Sequence, residues 1–380
     1  MNCSYCFQSF NDKYLPKEFN DFENLYKFLV NLSYENNVIV TFCGGEMTLR
    51  PDLIKKCQKE VFKKIERIKD VKFIYAIISN GTNIDVLLSL FDNNVLNPSY
   101  CNLSWDGLYS VSKSRHCSQY NDEYLKKSII KVGKSDYNEQ LSIVHALTPT
   151  TIKYLNDSFR FCIDNDVLSF GYYPIHEAFY DDEFHKIFKE QLNLIYQSVI
   201  NALEHHKNIN FFNLEMMRIK QDKLFFTCKK LGYNYYINPL GDVYPCIYFG
   251  DNGLYKLGTI KDGVNENAQK RFINDYLHYP QCDYKQCKCV CCGECPAACA
   301  VHNGNMNIKF KNLCKIREIE IEIYVKYQEQ LNKLLKNNNI YTTEDIIIND
   351  DTLKFDECDL KAIISQNRQP HYQYLRNWHC

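Results

Sequence analysis

The chain has 380 residues, with 45 Lys and Arg against 46 Asp and Glu, a net charge of -1, 45% hydrophobic residues and 19 cysteines. Such a length allows two or three domains with self-sufficient cores, the hydrophobic fraction excludes wholesale disorder, and a charge near zero provides no global field to attract nucleic acid. The sequence has no apolar run of the roughly 18 residues needed to span a membrane, and Met1-Asn2-Cys3-Ser4 lacks the basic start and apolar stretch of a secretory signal. A cytoplasmic protein with neither membrane nor nucleic-acid partners is therefore expected. Disulfides are rare in that compartment, so the cysteines are better explained as metal or cluster ligands than as a covalent framework.

In chain order, a helix is expected over Phe22–Leu32, a strand over Val38–Phe42, a helix over Pro51–Ile68, a strand over Phe73–Ile78 and a helix over Asp85–Phe91. A strand over Cys101–Trp105, a helix over Asn121–Val132, a strand over Leu141–Ala146, a helix over Ile152–Asn165 and a strand over Leu168–Tyr173 follow. This alternation of short apolar runs with amphipathic stretches predicts an α/β fold, a parallel sheet covered by helices, in which five or six βα units curl into a full or partial barrel. A longer helix from Asp182 to about Glu204 leads out of it. Beyond, Asn238-Pro239-Leu240-Gly241 and Asp251-Asn252-Gly253 suit turns and a short hairpin. A charged helix is expected over Lys315–Lys336, and the polar tail from Asn337 carries no chemical signal. The expected division is a barrel over 1–205, a cysteine-rich unit over 206–320, and a C-terminal helix and tail over 321–380.

The cysteines are unevenly spread. Ten fall in one zone: Cys228, Cys246, Cys282, Cys287, Cys289, Cys291, Cys292, Cys295, Cys299 and Cys314. Cys43, Cys57, Cys101, Cys117, Cys162, Cys358 and Cys380 are scattered and read as small buried hydrophobes or inert thiols. Cys3 and Cys6 form a pair at the start of the chain.

Ligands of parallel α/β sheets and barrels bind beyond the carboxyl ends of the strands. Four polar, glycine-bearing or turn-forming clusters lie there: Cys43-Gly44-Gly45-Glu46-Met47, Ser79-Asn80-Gly81-Thr82, Ser104-Trp105-Asp106-Gly107 and Leu147-Thr148-Pro149-Thr150. Each alone is an ordinary turn sequence. Together, on successive strand ends, they would converge on one pocket able to hold ammonium, carboxylate or ribose groups.

These residues resemble the radical S-adenosylmethionine (SAM) superfamily, and within it the proteins with a SPASM auxiliary-cluster domain. The family signature is three cysteines spaced C-x3-C-x2-C, of which Cys3-Ser4-Tyr5-Cys6 is similar to the second half. Cys43-Gly44-Gly45-Glu46-Met47 resembles the glycine-glycine-glutamate-proline motif, with Met47 in place of proline. Ser79-Asn80-Gly81-Thr82 is similar to the threonine-asparagine-glycine strand end, and Ser104-Trp105-Asp106-Gly107 with Arg115 to a serine-x-aspartate-glycine segment and its following arginine. The first signature cysteine belongs four residues before Cys3. Met1 is therefore expected to be an internal methionine, with the first strand and first ligand upstream. An in-frame stop codon before any cysteine at that place would contradict this. The SPASM part of the resemblance rests on Cys228, Gly241 and Cys246, on Ile237–Cys246 and Leu257–Ile260, and on the spacing of Cys289, Cys295, Cys299 and Cys314. Where the family has one further cysteine this chain has Gln286, and Cys287 or Cys282 would serve instead; Cys291 and Cys292 are additional.

The resemblance implies a partial (β/α)6 barrel with a SPASM domain, and a peptide-modifying oxidoreductase that cleaves SAM reductively to a 5'-deoxyadenosyl radical. It implies Cys3 and Cys6 as ligands of the SAM-binding [4Fe-4S] cluster, with Gly44, Gly45 and Glu46 near the methionine end of SAM. Ser79, Asn80, Ser104 and Arg115 would lie near its ribose or carboxylate, while Asp106 would equally well hold its own turn. Cys228, Cys246, Cys287, Cys289, Cys295, Cys299 and Cys314 would bind one or two auxiliary [4Fe-4S] clusters. Zinc is the rival, because Cys292-Gly293-Glu294-Cys295 has ribbon-type spacing. The implied partners are a peptide or protein substrate and an electron donor such as flavodoxin or ferredoxin. Maturation of a ribosomal peptide by thioether or carbon-carbon crosslinking is the leading expectation. An anaerobic sulfatase-maturating type of enzyme, or a non-catalytic metal- or peptide-binding relative, is the alternative. Of the remaining groups, His145, His176, Tyr172, Tyr173 and Tyr180 read more readily as structural than as acid-base or radical groups.

Overall fold

The computed structural model describes residues 1, 3–6, 19–33, 37–95, 101–176, 178–214, 234–277, 295–306 and 313–337. Six parallel strands, β1 (Asn37–Phe42), β2 (Lys72–Ser79), β3 (Cys101–Ser104), β4 (Leu141–Leu147), β5 (Ser169–Pro174) and β6 (Asn210–Phe211), pair in sequential order. The helices between them are α1 (Phe22–Val30) before β1, then α2 (Pro51–Cys57) and α3 (Lys63–Glu66), α4 (Ile84–Asp92), the short α5 (Ser110–Lys113), α6 (Asp122–Gly133), α7 (Leu155–Asp164) and α8 (Asp182–Glu204). This is the expected α/β architecture of a partial barrel. The strands at Val38, Phe73, Cys101, Leu141 and Leu168 fall within a residue or two of their expected bounds, and β6 is an addition.

The two faces of the sheet differ, as the period of two requires. On one face Phe73, Tyr75 and Ile77 of β2, Leu103 of β3, Ile143 of β4 and Phe170 and Tyr172 of β5 are buried. They meet the helices through contacts such as Phe62 on Phe73, ring centres 4.8 Å apart, and Tyr172 on Phe188, 5.6 Å apart. The other face carries Asn102, Ser142 and Ser169 side by side in register, with Ser142 Oγ 2.8 Å from Ser169 Oγ. Small polar residues, themselves buried, line that face, where the other carries bulky apolar ones.

Local chemistry explains the elements. The Asp181 side chain caps α8 by accepting the Phe184 N–H at 2.7 Å, and Phe184, Phe188, Leu192, Ile195, Val199 and Leu203 recur at helical spacing on its buried stripe. The helix expected as one run from Pro51 has Pro at its first turn but widens into a π turn at Gln58–Phe62. There Gln58 Nε2 reaches the Val95 carbonyl at 2.8 Å.

Four short antiparallel strands follow in the order β10-β9-β8-β7: β7 (Tyr236–Ile237), β8 (Asp242–Tyr244), β9 (Gly258–Thr259) and β10 (Gly263–Val264). The Asn238–Gly241 turn joins the first two, with Asn238 Oδ1 accepting the N–H of Leu240 at 3.0 Å and of Asp242 at 2.9 Å. Gly253 is not in a hairpin; it ends the Ile247–Asn252 helix at φ 68°. The C-terminal helix Cys314–Asn337 crosses the expected 320/321 boundary and lies along α8, with Tyr327 stacked on Tyr196 at 5.7 Å and Lys189 paired to Glu322 at 2.6 Å. Among the described residues no helix is long and apolar enough to cross a membrane.

Candidate functional site at the strand ends

The end of β1 turns through Gly44 at φ 92° and Gly45 at φ 51°, conformations that glycine adopts without strain. A side chain at Gly45 would meet nothing within 4 Å, so it is the backbone angle and an open space beside it that distinguish this position. The turn brings the Glu46 carboxylate over to β2. Oε1 accepts the Thr48 N–H at 3.1 Å, the Thr48 hydroxyl at 2.5 Å and the Ser79 hydroxyl at 2.9 Å, while Oε2 accepts the Asn80 N–H at 2.6 Å. Asn80 Oδ1 holds its own turn through the N–H and hydroxyl of Thr82, at 3.0 and 2.7 Å. Thus Gly44, Gly45, Glu46, Ser79 and Asn80 do come together. Ser104 stands half-buried at the end of β3, on the same face as Asn102.

A second carboxylate organises the ends of β3 and β4. Asp106, 1% exposed, accepts the Ser114 hydroxyl at 2.5 Å and the Tyr5 hydroxyl at 2.6 Å on Oδ2, and the Ala146 N–H at 3.2 Å on Oδ1. Arg115 Nε lies 3.1 Å from the same Oδ1. The Arg115 guanidinium also sits 5.7 Å from the centre of the Tyr5 ring. Arg115 is thus engaged with Asp106 and the cysteine loop, a place the sequence did not suggest. Gly107, at φ 88°, lies so close to its neighbours that a Cβ would come 2.0 Å from Ser158 Oγ and 3.1 Å from the His145 ring.

Cys3 and Cys6 are held by this second centre. The Cys6 N–H donates to the Cys3 carbonyl at 3.1 Å, and the Ser4 N–H to the Ser114 carbonyl at 2.9 Å. Cys6 is exposed and Cys3 half-buried. Burial pushes the Cys3 thiol up, against the downward pull of Arg115. Burial alone pushes Cys43 up to about 11, which marks it as an inert thiol in the metal-free chain. Two thiols on an exposed turn suit a thiophilic metal or an iron-sulfur cluster, and the open space beside Gly45 lies at the end of β1 on the same edge of the sheet.

In the cysteine-rich zone, Cys246 caps the Ile247–Asn252 helix, its Sγ 3.3 Å from the Tyr248 N–H. Cys295 stands at the N-cap of the Pro296–Asn303 helix, which packs against the first; Cys299 lies within it, fully buried; Cys314 begins the C-terminal helix. Cys228, Cys287 and Cys289, with Cys282, Cys291 and Cys292, lie outside the described residues. Among the described residues no three His, Cys, Asp or Glu side chains gather into a metal-binding group. Three residues beyond Cys314, Arg317 pairs with Glu320 at 2.5 Å; its Nε is buried without a hydrogen-bond partner. Glu320 Oε1 accepts the Tyr172 hydroxyl at 2.9 Å. Thiols at helix starts suit a thiophilic metal or an iron-sulfur cluster by their chemistry.

The other acid-base candidates are structural in their surroundings. His145 is fully buried on the helix side of β4, edge-on to Phe159, and burial pushes it down to about 4. His176, 2.8 Å from the Tyr173 hydroxyl, is pushed down to about 4 by burial, with Arg317 and His302 adding to it. The Tyr180 hydroxyl closes the turn after β5 by accepting the Ile175 N–H at 2.8 Å, with the Ile175 carbonyl at 2.9 Å and the Leu147 carbonyl at 3.2 Å sharing its one proton.

Solved structures share this architecture. Native anSMEcpe with bound AdoMet superposes with a TM-score of 0.67 at 18% identity, over 90% of this chain and 96% of that one. The chain shares the fold of that protein. The same protein with AdoMet and the Cp18Cys peptide matches equally, at 0.67 and 18% over 90% and 96% of the two chains. Streptococcus suis SuiB bound to S-adenosylmethionine matches at 0.52 and 15%, over 82% of this chain and 74% of that one. No family model matches the sequence, and no curated protein does. This tertiary arrangement accounts for a contact that the sequence did not reveal: Asp106 joins Tyr5 across 101 positions of sequence.

Proposed function

We propose that this chain is a radical SAM enzyme that modifies a peptide or protein. The observation that carries the reading is the convergence of the Glu46 centre, the Ser104 strand end and the Cys3–Cys6 turn on the carboxyl ends of β1 to β4. Cys3 and Cys6 would hold the SAM-binding [4Fe-4S] cluster. When bound, that cluster supplies the electron that breaks a carbon-sulfur bond of SAM. The chain's own part is placement. Gly44 and Gly45 allow close approach of backbone to the methionine end, and Glu46 meets the ammonium group. Ser79, Asn80 and Ser104 offer polar atoms toward ribose or carboxylate, and Arg115 acts through Asp106. Cys228, Cys246, Cys287, Cys289, Cys295, Cys299 and Cys314 would hold one or two auxiliary clusters.

Maturation of a ribosomal peptide by a thioether or carbon-carbon crosslink is the leading reading. The likeness to anSMEcpe, which spans 96% of that chain against 74% of SuiB, favours a second, oxidation of a sulfatase residue. Anaerobic reconstitution with iron and sulfide, flavodoxin or ferredoxin as reductant, and chromatography for 5'-deoxyadenosine test the enzyme. Absence of that product refutes the enzyme and leaves a binding role. Mass spectrometry of a peptide or sulfatase co-expressed from a neighbouring gene separates the two substrates. Stoichiometric zinc in place of iron and sulfide would refute the auxiliary clusters.

A further inference from the structure

The Cys3–Cys6 turn is short and lies at the surface, yet three contacts fasten it to one buried segment. The Tyr5 hydroxyl donates to Asp106 Oδ2 at 2.6 Å, the Ser4 N–H donates to the Ser114 carbonyl at 2.9 Å, and the Arg115 guanidinium lies against the Tyr5 ring. The receiving residues are all interior: Asp106 is 1%, Ser114 0% and Arg115 5% exposed. They are also bound to one another, because the Ser114 hydroxyl donates to the same Asp106 oxygen at 2.5 Å and Arg115 Nε lies 3.1 Å from the other. A ring would be enough to lie on Arg115. The hydroxyl adds something different, a charge-assisted hydrogen bond to a carboxylate that water does not reach, and such bonds are about twice as strong as neutral ones.

We propose that Asp106 is a positioning residue that presents the Cys3 and Cys6 thiols to their metal, acting through the Tyr5 hydroxyl and through Ser114; the proposal rests on the reading of Cys3 and Cys6 as cluster ligands. Oδ1 of the same carboxylate accepts the Ala146 N–H of β4 at 3.2 Å. The thiol turn is thereby referred to the ends of β3 and β4 at once, next to the strand ends that would meet SAM. Among the described residues the turn has neither a core nor a strand ladder of its own, and these bonds help to fix the direction of its two thiols. The turn is consequently ordered before metal binds, and the loss of one hydroxyl loosens it.

Hydrogen exchange of the full chain, metal-free and reconstituted, tests this with Tyr5→Phe, which keeps the ring on Arg115 and removes only the oxygen. The Ser4 and Cys6 amides are expected to exchange about tenfold or more faster in the metal-free variant, as the loss of a charge-assisted hydrogen bond requires. In the reconstituted variant, the paramagnetic resonance spectrum of the reduced cluster is expected to change at unchanged iron content. Tyr109→Phe, half-exposed on the same segment, is expected to alter neither. Asp106→Asn should loosen the turn further, but it also strands Arg115, so Tyr5→Phe decides. Exchange within about twofold of the parent would overturn the anchor, and so would an unchanged spectrum. A parent chain that binds no iron would remove the cluster reading, while the exchange result would still judge the anchor.

Discussion

Two carboxylates tie the strand ends together, and they are balanced differently. Glu46 accepts four hydrogen bonds, two from its own loop and two that join it to the end of β2, is half-buried, and forms no ion pair among the described residues. Asp106 joins β3 to β4 and to the cysteine turn, is 1% exposed, and has Arg115 at 3.1 Å. A carboxylate beside a buried guanidinium has its cation already. One held only by N–H and O–H groups, at an open turn, still lacks one. On the proposed function, the difference separates a framework carboxylate from one that would meet the ammonium group of SAM.

The largest effect that would break this distinction is on stability. Asp106→Asn leaves Arg115 in the interior without its counter-charge, and removal of one member of a buried pair costs about 3–5 kcal/mol. Glu46→Gln keeps the shape and strands no cation, so about 1 kcal/mol is expected. Denaturant unfolding of the two variants checks this; equal losses would mean that the two centres do the same work.

Next in size is a pH dependence that reports how dry the Asp106 centre is. Burial pushes His145 down to about 4 even though Asp106 pulls it up, and His176 goes the same way. The folded chain keeps these rings neutral where the unfolded chain, with histidine near 6.5, takes up protons. Stability is therefore full above pH about 6.5 and falls as pH drops toward 4, by about 3 kcal/mol for His145. Unfolding midpoints measured across that window should slope, and His145→Gln should flatten the slope. A flat parent profile would mean that water reaches the centre.

A third prediction sharpens the comparison on the ligand side. Glu46→Gln is expected to weaken SAM binding by about 10–100-fold, the equivalent of one hydrogen bond to a charged group, while leaving exchange of the Cys3–Cys6 amides unchanged. Equilibrium dialysis with the reconstituted chain measures the first. Unaltered affinity would remove Glu46 from the ligand.

Much of this was legible beforehand, for physical reasons that also mark where legibility stopped. Apolar runs such as Phe73–Ile78 and Leu141–Ala146 are long enough for a strand to be read from them, whereas β6 has only Asn210 and Phe211 and carries no period. The glycine-bearing clusters at Gly44 and Asn80 stood out because they follow strands. The role of Asp106 did not, since a Ser-Trp-Asp-Gly sequence is equally a turn and its partners Tyr5 and Ala146 are remote in sequence. Arg115 was legible as a cation near the site but not as the counter-charge of Asp106, because direction depends on packing. The ten clustered cysteines stand out by number alone, while a choice among Cys282, Cys287, Cys291 and Cys292 depends on three-dimensional placement that spacing does not contain.

The smallest expected effect, Gly45→Ala, completes the contrast, because the same substitution meets different surroundings at the two centres. At Gly45 the added methyl enters open space, so only the left-handed backbone at φ 51° resists it, at about 1–2 kcal/mol. At Gly107 the methyl would also come 2.0 Å from Ser158 Oγ and 2.8 Å from its Cβ, so Gly107→Ala should cost clearly more. Binding should rank them the other way round. The space beside Gly45 is the space a ligand of Glu46 would fill, so Gly45→Ala should lower SAM affinity by more than its small loss of stability explains. Paired measurements of unfolding and SAM binding on both variants decide it, and a Gly45→Ala chain with parental affinity would mean that the ligand lies elsewhere.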